Sequence, residues 1–182
     1  MTALQDYFDF VMQYAPYFYY IPGTGVDPEW GRGPAAAAHA IDFLYECYND
    51  SRFAGDQADI YDKIVSLADW ILTQQCTEEE WPNYGGFKSH ENSTFYYSID
   101  ACRVIPALLK AYELTNTAAY LTAAVLAGKT FLKAMQDKQV YGGFARAVNI
   151  VSEGTEALQV NMSSDDALVN WQGKLGFFHT LR

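Results

Sequence analysis

Two short segments place carboxylates where helices are expected to open. Ser98-Ile99-Asp100-Ala101 recurs as Ser164-Asp165-Asp166-Ala167, 66 residues later. Two carboxylates at helix openings that come to face each other can act as general acid and base, or as acid and nucleophile, their separation deciding which. Asp100, Asp166 and Asp165 are therefore the catalytic candidates. The same residues have a second explanation. Ser98 and Ser164 fit N-cap positions, and an aspartate in the first turn complements the positive end of a helix.

Aromatic residues supply the second kind of chemistry. Trp30, Trp81, Tyr84, Phe87, Phe95, Tyr96, Tyr97 and Tyr141 fall in or beside expected loops. Planar side chains there can stack on the apolar faces of sugar rings, or simply pack one element on the next. Trp81, Tyr84, Phe87, Tyr97 and Tyr141 are taken as substrate-binding candidates. Arg103 and His39, on expected helices, can hold the carboxylate of a uronic acid, or pair structurally. His90 and Glu91 share a polar loop, and Glu78-Glu79-Glu80 reads as a solvated one. No phosphate-binding glycine loop, Gly-x-Ser-x-Gly elbow or His-Glu-x-x-His pair occurs, so no cofactor and no metal are expected.

The elements that must position these groups follow from composition and periodicity. The 182 residues carry 12 basic against 22 acidic side chains, a net charge of −10. That charge repels phosphate backbones and anionic lipid, which argues against nucleic acid or a polybasic membrane anchor. With 50% hydrophobic, 16% aromatic and 19% charged residues, the chain has the means to bury a core. Cys47, Cys76 and Cys102 form no Cys-x-x-Cys pair and read as buried thiols. No run of 18 apolar residues is present, so no helical membrane span is expected. Phe10 to Ile21 follows Asp6 and Asp9 and contains Pro16, so it does not read as a signal peptide. The compartment stays open between cytoplasm and secretion after signal removal.

Helical spacing dominates. Leu4, Phe8 and Val11 predict a short helix ended by Pro16; Ile41, Leu44 and Tyr48 predict one over 35–49. Ile60, Ile64, Leu67, Ile71 and Gln75 predict a helix over 57–76 with Asp56 as its N-cap. Cys102, Ile105, Leu108, Leu109 and Tyr112 predict one from Ser98 to about Leu114, with Pro106 inside it. Thr117 then caps a helix to about Gln136, and a last helix is expected from Ser163.

These elements repeat. Gln75 leads to Tyr84-Gly85-Gly86-Phe87, and Gln136 leads to Tyr141-Gly142-Gly143-Phe144; the tetrads are 57 residues apart and the glutamines 61. Gly-Gly after a helix permits positive φ and a tight reversal, over which the aromatic can pack back. The glutamine can satisfy orphan carbonyls or groups of the turn. Ala38 to Tyr48 aligns with Cys102 to Tyr112, so the chain holds two hairpins and the opening of a third.

A helix, a glutamine, Gly-Gly-aromatic and then a helix opening Ser-x-Asp resembles the repeats of α/α toroid proteins. Tyr112-Glu113-Leu114-Thr115-Asn116 and Trp81-Pro82-Asn83-Tyr84-Gly85-Gly86-Phe87 are similar to sequences of the carbohydrate-active branch, which includes six-hairpin glycosidases and toroid-containing pectate lyases. The glutamine-aromatic segments also resemble terpenoid cyclases and protein prenyltransferases. In that second branch zinc is held by Asp-x-Cys and a later histidine. Asp100-Ala101-Cys102 matches the first part, but the nearest histidine downstream of Ser164-Asp165-Asp166 is His179, and two ligands do not close a tetrahedral zinc site.

The resemblance implies an all-α, toroid-like but incomplete array of about two and a half hairpins, with an aromatic arm at 1–34 and repeats over 35–182. It implies a glycoside hydrolase- or polysaccharide lyase-like protein that cleaves or binds a glycan. The alternatives are a prenyltransferase- or cyclase-like toroid and a non-catalytic helical-repeat module. Open hairpin faces would imply a truncated chain or a homo-oligomer.

Overall fold

Alanine sets how closely the helices approach. The computed structural model describes residues 2–17, 20–21, 25–26, 31–136 and 147–150. Its helices are α1 (Ala3–Tyr14), α2 (Pro34–Tyr48), α3 (Gln57–Leu72), α4 (Ser98–Thr115), α5 (Ala118–Leu126) and α6 (Lys133–Met135). Ala37 and Ala38 of α2 and Ala101, Ala107 and Ala111 of α4 are fully buried. Small side chains let two backbones come together, and α2 packs extensively on α4. Around that pair, α3 packs on α2 and α5 on α4. The fold is all-α, and the described residues hold two successive hairpins, α2–α3 and α4–α5.

The repeat has a structural counterpart. The first helices of the two hairpins begin 64 residues apart, at Pro34 and Ser98, and the second helices 61 apart, at Gln57 and Ala118. Ile60, Ile64, Leu67 and Ile71, spaced to share one face of α3, are all buried. In α1, Phe8 and Val11 are buried as their spacing predicts, and Phe8 meets the Phe53 ring at 4.7 Å.

Helix ends depart from expectation in instructive ways. Asp56 occupies the N-cap of α3, yet its side chain caps nothing; its backbone carbonyl accepts from Ile60 at 2.9 Å. Tyr97, not Ser98, is the N-cap of α4, and Ser98 is the fully buried first helical residue. Helix α3 ends at Leu72, four residues early, because Gln75 bridges to Phe87 in extended backbone. The helix expected from Thr117 to Gln136 is interrupted by a π-helical turn over Ala127–Leu132.

That turn lies against the Gly-Gly reversal. Gly85 has φ +83, and a Cβ there would sit 2.9 Å from the Leu126 carbonyl oxygen; a Cβ on Gly86 would sit 2.8 Å from the Phe131 ring. The Gln75 side-chain amide donates to the carbonyls of Gly85 and Ala123, each at 2.9 Å. The loop also contains β3 (Phe95–Tyr97), paired antiparallel with β4 (Ala147–Asn149). A smaller pair, β1 (Tyr20–Ile21) with β2 (Gly25–Val26), lies in the aromatic arm. Strands of two or three residues carry too few positions for alternation to announce them.

Candidate functional site

Asp100 stands in the first turn of α4, where β3 delivers the chain into the helix. It is 6% exposed. Burial pushes its carboxyl up to about 7, against the opposing pull of the Arg103 guanidinium one turn on. None of the described residues donates a hydrogen bond to it. A carboxyl that is half protonated near neutrality can give or take a proton there, which an ordinary aspartate cannot do efficiently. Cys102, two residues on, is buried, and burial pushes its thiol up.

Arg103 and His39 are both exposed. They are the sixth residues of α4 and α2, so the repeat places them at equivalent positions on two packed helices. His39 borders a cleft of about 250 Å³ that is shared with Tyr7, Phe10, Tyr14 and Tyr17.

The aromatic candidates separate by burial. Phe87 is wholly buried, so it packs the hairpin reversal and presents no face to a ligand. Tyr97 is half-buried and stacks on Phe95, with ring centres 5.8 Å apart and planes 15° apart. The Tyr84 hydroxyl donates to Glu79 at 3.3 Å at the outer edge of the turn. Trp81 lines a cavity of about 670 Å³ between the segment from Gln75 to Asn83 and the loop from Lys88 to Tyr96. Tyr96 is on its wall, and Asp100 is not among the residues that line it. Asp165, Asp166, Tyr141 and Trp30 lie outside the described residues.

One anchoring interaction escaped the sequence reading. Glu91, on the cavity wall, accepts from the backbone N–H of Arg32 at 2.7 Å and from its Nε at 2.9 Å, and its own N–H donates to the Arg32 carbonyl at 2.9 Å. Burial would raise the Glu91 carboxyl, but the Arg32 hydrogen bonds outweigh it and hold the group below its ordinary value. Arg32 in turn lies 5.1 Å over the Trp70 ring. The partners are 59 residues apart, and no local pattern joins them. Among the described residues no three His, Cys, Asp or Glu side chains converge as a metal site, and no helix is long and apolar enough to cross a membrane.

No family model and no curated protein matches the chain. Among solved structures, the chain is similar to one described as the crystal structure of a sugar epimerase from a ruminal bacterium, at 14% identity and a TM-score of 0.55. The match covers 95% of this chain and 50% of the other, so the chain spans half the length of that protein. At this identity the likeness is one of fold.

Proposed function

We propose that this chain is a carbohydrate-active protein of the α/α toroid type, glycoside hydrolase- or polysaccharide lyase-like, in which Asp100 moves a proton on a bound glycan. The observation that carries the reading is the Asp100 carboxyl, buried at a helix opening and poised at about 7. In hydrolysis such a group protonates the leaving oxygen; in elimination it takes a proton from carbon or returns one to the leaving group. Asp166, or its neighbour Asp165, is the proposed second carboxylate, on the strength of the repeat alone. Arg103 and His39 are proposed to steady the substrate from equivalent positions, with Trp81, Tyr84, Tyr97 and Tyr141 beside it.

Two further observations support a sugar. The solved neighbour is described as a sugar epimerase. The larger cavity is walled by Gln75, Thr77, Lys88 and Asn92, which suits hydroxyl groups and suits an isoprenoid chain poorly. The test is turnover of a panel of polysaccharides and free aldoses, read for new reducing ends, unsaturated products and epimers. Asp100→Asn is expected to slow the reaction at least about a hundredfold. Equal rates in the variant would overturn the assignment, and saturable binding with no turnover by the wild type would favour the non-catalytic module.

A further inference from the structure

We infer that the cavity between the segment from Gln75 to Asn83 and the loop from Lys88 to Tyr96 is a subsite for a neutral saccharide ring, walled by Trp81, Lys88 and Asn83. This rests on the carbohydrate reading and deepens it, because it names the charge of the ring held at one subsite, a binding locus apart from Asp100.

Size is the first argument. About 670 Å³ falls within the roughly 300–1,000 Å³ of small-molecule sites, and it exceeds what one bound water or ion would need. Lining chemistry is the second. Trp81 is half-buried, and an indole there offers a flat apolar surface for the carbon face of a pyranose. Around it stand the Thr77 hydroxyl, the Lys88 ammonium, the Asn92 amide and the Glu78 carboxylate. None of these four side chains bonds another described residue. They supply donors and acceptors around one apolar face, which is the pattern a ring with equatorial hydroxyls requires.

Asn83 adds an unsatisfied group. It is 2% exposed, and its Oδ1 accepts no hydrogen bond among the described residues. A buried acceptor without a donor is unfavourable, and native proteins keep few of them. Asn83 lines the cavity, so its Oδ1 is an acceptor available to a hydroxyl of a ring seated there.

Charge selects the neutral ring. Glu91 is paired with Arg32, and the remaining charged groups on the wall are one cation, Lys88, and one anion, Glu78. Neither Arg103 nor His39 lines this cavity. A uronic acid therefore finds no surplus cation here, and desolvating its carboxylate has no compensation.

The experiment titrates the full chain with methyl β-D-glucopyranoside and, separately, methyl β-D-glucuronide, by calorimetry and ligand-observed NMR. The pair differs only at C6, a hydroxymethyl group in one and a carboxylate in the other. The wild type is expected to bind the glucoside saturably and the glucuronide about tenfold more weakly. Lys88→Met is expected to weaken glucoside binding about tenfold, and Trp81→Ala to abolish it, with Tyr61→Ala, at an exposed α3 residue that does not line the cavity, as the unchanged control. Lys88 is a partly exposed side chain, so this variant keeps the test open if Trp81→Ala folds poorly. Asp100→Asn is expected to bind the glucoside within about twofold of wild type, so loss of the catalytic assignment leaves this site standing. Absence of saturable glucoside binding, tighter binding of the glucuronide, or wild-type affinity in both Lys88→Met and Trp81→Ala overturns the proposal.

Discussion

Gln75 and Ala123 are joined across two hairpins by one hydrogen bond: the Gln75 side-chain amide reaches the Ala123 carbonyl at 2.9 Å while also donating to Gly85. Ala123 lies inside α5, so a residue just past the end of α3 ties the first hairpin, its reversal and the second hairpin together. Replacing Gln75 by Ala removes both bonds and takes the Gly85 carbonyl's donor away, while the Ala123 carbonyl keeps its helical bond from the Ala127 N–H. The expected cost is about 2 kcal/mol, measured by urea unfolding.

The reversal itself makes a sharper prediction. Gly85→Ala combines a left-handed φ with a Cβ 2.9 Å from backbone of α5, neither of which a side chain can evade. Its expected cost is about 2–3 kcal/mol, more than Gly55→Ala, where a Cβ meets nothing within 4 Å. Equal stability of the two variants would mean that the close approach of the turn to α5 is relieved at little cost.

Much of this architecture was legible. Ile60, Ile64, Leu67 and Ile71 show their face by spacing, and Gln75 with Gly85-Gly86-Phe87 marks the reversal of the first hairpin, the second copy at 141–144 lying outside the described residues. What escaped was non-local. Nothing near Glu91 points to Arg32, and nothing in the run from Ala118 signals that Ala127–Leu132 would widen into a π turn. Phe87 looked like a ligand-stacking residue because it sits in a loop, but the loop folds its ring into the core. For the site, the position of Asp100 was readable from its repeat, whereas its burial depended on β3 and on packing around α4.

Burial of Asp100 makes stability depend on pH in a definite direction. Its folded value, about 7, lies above the ordinary 3.8, so the native state holds the proton more tightly than the unfolded chain. Stability from this group is fully present below about pH 4 and is lost as pH rises through 7. Asp100→Asn keeps the neutral shape and removes the ionisation. The variant is expected to exceed wild type in stability at pH 8 by on the order of 2–4 kcal/mol, with little difference at pH 4. Parallel pH profiles for the two proteins would contradict this.

The Glu91–Arg32 clasp behaves oppositely. Its carboxyl is held below its ordinary value, so the stability it contributes is present above the unfolded value and is lost as pH falls through the folded one. Arg32 is 41% exposed, which limits the worth of the ion pair. Glu91→Gln is expected to cost about 1 kcal/mol at pH 7, and less in acid. Denaturant unfolding at the two pH values checks it.

A direct measurement of the central claim is the pH dependence of kcat/KM on whichever saccharide the panel yields, in wild type and Asp100→Asn. The wild type should show an ionisation near 7, matching the buried carboxyl. The variant should lose that ionisation and turn over at least about a hundredfold more slowly. A variant that retains both the ionisation and the rate would contradict the assignment of proton transfer to Asp100.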